Sequence, residues 1–104
     1  MAHGEIEVPF VFKSDSVFVI KDINPQAPTH LLLIPVDHHE NAAELANSQQ
    51  SVLAELFEVA ARLASEAKLD GYRTVFNTGA AAGQSVFHAH LHLLGGRPFA
   101  WPPG

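Results

Sequence analysis

The chain has 104 residues, of which 47% are hydrophobic and 16% charged, with a formal net charge of −5 and no cysteine. This length and composition predict one domain, residues 1–104, that buries roughly 60–65% of its unfolded surface. The lack of cysteine excludes disulfides, thiolate metal sites and a cysteine nucleophile. The acidic balance disfavours a nucleic-acid polymer as partner, because such partners require a basic face.

Neither a signal peptide nor a membrane span is predicted. Residues Met1–Val11 include acidic side chains where a signal peptide has a basic start and an apolar run. The longest apolar stretch, Leu31–Val36, is far shorter than the about 20 residues that cross a bilayer. We therefore expect a cytoplasmic protein that does not bind membranes.

The first part of the chain predicts short strands separated by turns. Two apolar runs, Val8–Phe12 and Val17–Ile20, flank the polar turn Lys13–Ser16 and predict a hairpin. Asp22–Pro28 contains two prolines and an asparagine, so it is expected to be irregular. A third strand is predicted over His30–Ile34, and the proline that follows should end it.

The middle of the chain predicts one long helix. Residues 37–46 are polar and mixed, which indicates a loop with one helical turn. From Ser48 to Lys68, apolar residues recur three and four positions apart, which is one face of a helix. Asn47 with Gln50 is the expected start signal, and Asp70-Gly71 is the expected stop. The apolar positions are Val52, Leu56, Val59, Ala60, Leu63 and Ala67.

Two further strands are predicted after the helix, over Tyr72–Asn77 and His88–Leu94. A loop rich in glycine and alanine joins them, and the tail Arg97–Gly104 is too rich in proline for regular structure. The expected fold class is therefore α+β: about five mostly antiparallel strands with one long helix against one face.

Three histidines alternate along the last predicted strand, at His88, His90 and His92. Successive side chains of a strand point to opposite faces, so we expect the three imidazoles on one side and the residues between them in the core. The loop Asn77–Ser85 lies just upstream and is rich in hydrogen-bond donors. This combination predicts an active site that handles an anion.

The charges support a small anionic ligand. All 11 acidic residues lie within positions 1–70, and the only Lys or Arg residues after position 70 are Arg73 and Arg97. A small phosphate-bearing molecule is therefore not repelled near the histidines, whereas a long polyanion is discouraged elsewhere on the surface.

The histidines suit nucleophilic chemistry better than metal binding. The Cα atoms of His88 and His92 should lie four strand rises apart, roughly 13 Å, which is too far for one tetrahedral ion. A neutral imidazole becomes a nucleophile when one nitrogen is bare and an acceptor holds the other N–H. His90 has a partner on each side and is the expected nucleophile. We expect no metal and no cofactor.

Other residues near the triad have the groups that phosphate chemistry needs. The Ser85 hydroxyl can donate to a leaving group or a phosphate oxygen. Asn77 and the backbone N–H groups around Gly83 can bind phosphate oxygens in the transition state. His3 and His39 are expected at the surface without a role.

These residues resemble a known family. Gln84–Leu94 matches the motif His-φ-His-φ-His-φ-φ, with φ apolar, of the histidine triad family, and the resemblance covers roughly residues 4–104. Other segments are similar to the Hint branch of that family: Asp22–His30, Ile34-Pro35, Gly71–Arg73, Asn77, Gly95–Arg97 and Trp101–Gly104.

The resemblance implies an enzyme that hydrolyses purine nucleoside 5′-phosphoramidates, in which AMP or GMP is joined to an amine. His90 would attack phosphorus and form a nucleotidyl-histidine intermediate that water opens. His88 and His92 would orient it and contact phosphate oxygens. Ser85 would assist the departing amine, and His30 would support the histidine cluster, while His38 matches a family histidine of less defined role.

The resemblance also implies a substrate-binding set. Asp22 would bind the ribose hydroxyls, Ile23 would pack beside the base, and Asn77, with Gly83 and Gln84, would hold the phosphate. Members of the branch are homodimers whose sheets join across the interface, with the tail reaching the partner's site. Trp101 would then influence substrate choice, although plain packing of the tail explains it equally well. No metal is required.

Three alternatives stay open. Dinucleoside polyphosphate hydrolysis, as in the fragile-histidine-triad branch, is disfavoured because that branch lacks Gly95-Gly96-Arg97 and the Trp-Pro-Pro-Gly ending. A nucleotide-binding or partner-regulating dimer with weak catalysis belongs to a different functional class. Regulation through zinc binding is the third alternative.

Overall fold

The computed structural model describes residues 10–104 as a five-stranded sheet with two helices. Its elements are β1 (Phe12–Lys13), β2 (Val17–Lys21), β3 (Thr29–Pro35), α1 (Ala42–Ser48), α2 (Gln50–Glu66), β4 (Tyr72–Val75), a 3-10 turn (Ala80–Ala82) and β5 (Leu91–Gly95). The strand order is β1-β2-β3-β5-β4, and every neighbouring pair is antiparallel. The predicted α+β class is confirmed.

The first hairpin forms at the predicted turn. β1 pairs with β2, and the Ser14 hydroxyl accepts hydrogen bonds from the N–H groups of Ser16 and Val17. The carboxylate of Glu55 on α2 accepts from the hydroxyls of Ser14 and Ser16, which attaches the turn to the helix. Of the strand predicted over Val8–Phe12, the first two residues lie outside the described part of the chain.

The prediction of one long helix was wrong at its start. Asn41 caps α1, since its side chain accepts from the Glu44 N–H, and Asn47 lies inside α1 instead of capping a helix. Gln49 has φ −140° and interrupts the helix, so α2 begins afresh at Gln50 without a side-chain cap. Periodicity missed this break because the apolar stripe of α2 starts only at Val52.

The helix also ends earlier than predicted. Lys68 adopts φ 57°, and the N–H groups of Lys68 and Leu69 bond back to the carbonyls of Ser65 and Ala64. Those two bonds are the Schellman arrangement that satisfies the last helical carbonyls. A non-glycine residue therefore occupies the left-handed position, and Gly71 does not end the helix.

The core lies between α2 and one face of the sheet. Alternate residues of β3 and β5, beginning at Leu31 and Leu91, point toward the helix. Their neighbours therefore point to the opposite face, because the side-chain period of a strand is two. The main cluster comprises Val17, Val19, Leu31, Leu33, Leu45, Val52, Leu56, Val59, Ala60, Leu63, Leu91 and Leu93. Phe18, Ile20 and Ile34 form a smaller cluster on the opposite face.

The last two strands are shorter than predicted. β4 ends at Val75, and the pairing of β5 begins at Leu91 and not at His88. Residues 86–88 form bends and residues 89–90 are irregular, although burial still alternates as far back as Ala89, which is 2% exposed. Two of the three triad histidines thus precede the strand that was expected to carry them. No helix within residues 10–104 is long and apolar enough to cross a bilayer.

Candidate active site

His30 and His92 lie on neighbouring strands, on the sheet face opposite α2. His30 is near the start of β3 opposite Leu94, and His92 on β5 is opposite Leu32. This diagonal register brings His30 Nε2 to 2.9 Å from His92 Nδ1. His30 is buried and His92 half-buried. The two rings are therefore held by sheet pairing.

The hydrogen-bond partners determine which nitrogens of this pair carry protons. The Gln26 backbone N–H donates to His30 Nδ1 at 3.0 Å, so Nδ1 is the bare nitrogen of a neutral His30. Nε2 of His30 then carries the hydrogen and donates to Nδ1 of His92. His92 in turn carries its proton on Nε2.

The environment of His92 favours its neutral form. Burial lowers the pKa of His92 below its ordinary 6.5, and His90 and His30 lower it further by electrostatic repulsion. The carboxylate of Asp22 acts in the opposite direction. Because desolvation is the largest cause, His92 is an uncharged N–H donor at neutral pH.

The Asp22 carboxylate also lies against the His30 ring. Its Oδ2 lies 3.3 Å from His30 Nε2, and its Oδ1 accepts from the Asn24 N–H at 2.8 Å. The Asp22 N–H also donates to the His30 carbonyl, which continues the pairing beyond β2. The half-buried carboxylate therefore lies beside the proton shared by His30 and His92.

His90 is held in a different way. Its Nδ1 lies 2.8 Å from the backbone carbonyl of His88, which can only accept, so Nδ1 carries the hydrogen. Nε2 of a neutral His90 is then bare. The His90 and His92 rings are 5.0 Å apart at their centroids. A bare nitrogen thus lies beside an imidazole whose own Nε2–H can donate.

The His88 ring lies against His38. His88 Nε2 donates to the Pro35 carbonyl at 2.8 Å, which leaves Nδ1 as an acceptor 3.3 Å from His38 Nδ1. The two rings make an edge-to-face contact with centroids 5.1 Å apart. His38 is exposed, so it is the solvent-facing member of the pair.

The loop before the triad is closed by its own backbone. Gly79 and Gly83 have φ values of 90° and 94°, which glycine adopts without steric cost. Between them lies the 3-10 turn, and the N–H of Gln84 returns to the Gly79 carbonyl at 3.1 Å. The Gln84 side chain is buried, whereas Ser85 is exposed. The loop therefore presents Ser85 at the surface just before the histidines.

Not every predicted site residue joins the histidine cluster. Ile23 is fully exposed and Trp101 is 81% exposed. Asn77 is half-buried between β4 and the loop. Within residues 10–104, no hydrogen bond or ring contact links these three side chains to the histidines. The exposure of Trp101 does not support packing of that side chain within its own chain.

The two arginines of the C-terminal part hold the tail. Arg73 donates to the Ala100 carbonyl and Arg97 to the carbonyls of Gln26 and Pro98. Both guanidinium groups also stack on the Phe99 ring, at 5.0 and 4.3 Å from its centroid. A cavity of about 620 Å³ lies beside them and includes none of the histidines. Chemistry therefore locates the candidate site better than cavity size does.

Sequence reasoning missed two contributions to this site. His39 is 7% exposed and not a surface residue; its Nε2 contacts the Gln49 side chain, and its carbonyl accepts from the Ala89 N–H at 2.7 Å. The Gln26 backbone N–H, which sets the tautomer of His30, carries no side-chain signal. His3, the other expected surface histidine, lies outside the described residues.

The chain is similar to known proteins over nearly its whole length. A family model described as "HIT domain" matches residues 3–99. An uncharacterized HIT-like protein of Synechococcus elongatus is 46% identical over 101 residues, covering 96% of this chain and 89% of the relative. A Zea mays protein named "14 kDa zinc-binding protein" is 45% identical over 103 residues, covering 96% and 80%.

A solved structure has a similar level of sequence identity to this chain. The crystal structure of a HIT family hydrolase from Legionella pneumophila superposes with a TM-score of 0.93 at 44% identity, covering 100% of this chain and 95% of that one. Fold and site thus define a protein with the architecture of the HIT hydrolases. The chain belongs to the HIT domain family.

Proposed function

We propose that this protein, as a member of the Hint branch, hydrolyses purine nucleoside 5′-phosphoramidates through a nucleotidyl-His90 intermediate. The observation that carries the proposal is the fixed tautomer of His90. Its Nδ1–H is held by the His88 carbonyl at 2.8 Å, so the bare Nε2 can attack without first losing a proton.

In the first step, His90 Nε2 forms a bond to the α-phosphorus and the P–N bond to the amine breaks. The amine leaves with a proton, which we assign to the exposed Ser85 hydroxyl or to water behind it. His92 donates its Nε2–H to a phosphate oxygen, and the His30–His92 contact of 2.9 Å holds that donor in place. His88 orients His90 through its backbone carbonyl, whereas the ring of a neutral His88, which donates to Pro35 and faces His38, has no N–H left for the phosphate.

In the second step, water attacks phosphorus, the bond to His90 breaks, and the nucleoside monophosphate leaves. Asn77 is assigned to phosphate binding, because its loop precedes the histidines directly. The backbone N–H groups of Gly83 and Gln84, which were expected to share this role, donate instead to the carbonyls of Ala80 and Gly79. Asp22 is assigned to the ribose hydroxyls. The fully exposed Ile23 is a free apolar surface for the base.

We further propose that two copies assemble and that the tail of each reaches the other's site. Trp101 is 81% exposed within its own chain, which is unusual for so large an apolar side chain without a partner. In such a dimer it would contact the leaving group and influence substrate choice.

The direct test is to trap the intermediate. Purified protein is mixed with an AMP-amine phosphoramidate, quenched in the first turnovers and examined by mass spectrometry. We expect one adenylyl group on His90, and none on the His90→Ala protein. A diadenosine polyphosphate assayed in parallel should be turned over more slowly. Rapid phosphoramidate turnover without a protein-bound nucleotide would contradict the mechanism, and AMP binding without turnover would favour the regulatory dimer.

A second candidate, cation binding, rests on one cluster. Asp22, His30 and His92 each offer one ligand atom, all within 4.8 Å of one another. The donor set suits zinc, and a similar maize protein is named for zinc binding. A cation there would have to replace the Nε2 proton of His30, and so would compete with the tautomers that the proposed chemistry uses. Turnover unchanged by chelator and inhibited by added zinc would favour hydrolysis, whereas turnover lost to chelator would favour the metal.

A further inference from the structure

Within residues 10–104, the segment that carries Ser85, His88 and His90 pairs with no strand, since β5 begins at Leu91. It is held instead by the last residue of β3 and the chain that follows. The carbonyls of Pro35 and His39 accept from the His88 ring at 2.8 Å and from the Ala89 N–H at 2.7 Å. We call residues 35–40 the brace. The position of the triad thus depends on a second loop.

Gln84 connects the brace to the loop before the triad. Its Nε2 donates to the Glu40 carbonyl at 2.7 Å and to the Val86 carbonyl at 3.2 Å. Its Oε1 accepts from the Gly79 N–H at 2.7 Å. The side chain is 5% exposed, and both amide hydrogens are used. Buried polar side chains with every donor engaged fix geometry, because any displacement leaves a group unpaired.

Gln84 both donates a hydrogen bond to Gly79 and accepts one from it. Its backbone N–H donates to the Gly79 carbonyl at 3.1 Å, while its side chain accepts from the N–H of that same glycine. The turn Gly79–Gln84 is thereby closed at both hydrogen-bonding groups of Gly79. The far end of the amide attaches the closed turn to Glu40, next to the cap of α1.

We propose that Gln84 is a positioning residue: its amide joins the Gly79 turn, the Glu40 carbonyl and the Val86 carbonyl, and so sets Ser85 relative to His88 and His90. Gln84 then serves the phosphate site through its position in this network, and its side chain does not contact the ligand. The catalytic consequence rests on the proposed hydrolysis, whereas the structural consequence does not.

Two substitutions of similar size separate this role from mere space filling. Gln84→Met keeps the volume and removes all three hydrogen bonds. Gln84→Glu keeps the acceptor for Gly79 but places a carboxylate oxygen against two carbonyls. Protonation of that carboxyl restores one donor, so Gln84→Glu recovers in acid and Gln84→Met does not. Gln50→Glu, at an exposed position on α2, is the matched charge control.

The first readout is turnover of an AMP-amine phosphoramidate between pH 5.5 and 8, expressed as the ratio of variant to wild type. At pH 8 we expect kcat to fall about 10- to 100-fold in both Gln84 variants, the range for an unpaired buried polar group. The ratio for Gln84→Glu should recover several-fold in acid, while that for Gln84→Met stays flat and Gln50→Glu matches wild type. The neighbouring titratable groups, His38, His39, Glu40, Glu44 and His88, are common to all variants and cancel in the ratio.

The second readout needs no substrate. Amide hydrogen exchange by NMR should show the Ala89 N–H exchanging at least about tenfold faster in Gln84→Met, with Leu33 on β3 unchanged. The Ala89 N–H donates to the His39 carbonyl and not to Gln84, so its loss of protection reports a displaced triad segment. An unchanged Ala89 amide, or wild-type turnover in both Gln84 variants, would overturn the inference. Faster Ala89 exchange in a protein that hydrolyses nothing would instead refute the proposed hydrolysis and keep Gln84 as the connection.

Discussion

The candidate site contains two pairs of histidines that are held in different ways. His30 and His92 lie on paired strands and contact each other across the sheet at 2.9 Å. His88 and His90 precede the strand, and main-chain carbonyls hold their rings, those of Pro35 and of His88 itself. The sheet pair is therefore held by strand pairing, whereas the loop pair is held by main-chain carbonyls outside the paired part of β5.

This difference separates the histidines that contribute to folding stability from the histidine that is the proposed nucleophile. Sheet hydrogen bonds and a buried ring contribute to the free energy of unfolding, so a change to the first pair should affect both stability and rate. The second pair contributes less to folding and carries the proposed nucleophile. Each prediction below tests that division.

The largest effect is expected at the nucleophile of the loop pair. His90→Ala should lower kcat for an AMP-amine phosphoramidate by about 10⁴-fold or more, because the covalent step is lost. The free energy of unfolding should change by less than about 1 kcal/mol, since the half-buried ring holds no distant segment in place. Steady-state kinetics and urea unfolding measure both. A large stability loss would show that His90 belongs to the framework.

The sheet pair should respond differently. His30→Phe removes the acceptor of the Gln26 N–H and the donor to His92, which frees the His92 tautomer. We expect kcat to fall about 100-fold and the unfolding free energy to fall by about 1–3 kcal/mol, because a buried N–H is left unpaired. The same two assays apply. A rate loss without any loss of stability would remove the distinction between the two pairs.

The pH dependence should report the sheet pair. The pKa of His92 is below 6.5, and its neutral form is the one that fits the network. Its contribution to folding is present above pH 6.5 and is lost as the pH falls through the lowered pKa, because the unfolded state then binds more protons. We expect kcat/KM to fall about tenfold per pH unit below that pKa.

Asp22→Asn sharpens this test. The Asp22 carboxylate raises the pKa of His92, so its removal should move the acid limb to lower pH. If the fall in kcat/KM begins above pH 6.5, or moves to higher pH in Asp22→Asn, a group other than His92 controls the pH dependence.

Ser85, at the start of the loop-held segment, should affect only proton delivery. Ser85→Ala should slow phosphoramidates with poorly leaving amines roughly tenfold and those with acidic amines by about twofold, because general-acid help matters most for poor leaving groups. The rate loss in Ser85→Ala is measured for a series of amines and plotted against the leaving-group ability of the amine. Equal losses across the series would remove Ser85 from proton transfer.

The smallest effect is expected from the tail. Arg73 and Arg97 hold the chain as far as Ala100, so deletion of Trp101–Gly104 should leave the unfolding free energy within about 0.5 kcal/mol. Relative kcat/KM for large and small amine substrates should change a few-fold, while minimal substrates are unaffected. Identical preferences in the deleted and full-length proteins would assign the tail no part in selectivity.

Much of the fold was readable from periodicity. Short apolar runs predicted the hairpin and the third strand, and the 3.6-period stripe from Val52 to Leu63 predicted the body of α2 but not its start or end. The break at Gln49 was not readable, because Asn41 and Asn47 are both good caps and only packing of α1 selects the first. Lys68 in the left-handed position was equally hidden, since glycine is the residue expected there.

The burial of His39 was missed for a related reason. A histidine in a polar segment predicts a surface residue. The sequence does not show that the His39 carbonyl accepts a hydrogen bond from the Ala89 N–H. Long-range contacts from one loop to another leave no periodic pattern.

The sequence alone determined the residue types of the site and the strand face that carries His92, because side-chain direction along a strand follows the alternation of apolar and polar residues. Tertiary structure decided which nitrogen of each ring is bare. Those choices depend on partners such as His30 for His92, 62 residues away, and Pro35 for His88, 53 residues away. An imidazole takes its tautomer from the donor or acceptor placed beside it, and only the folded chain places one there.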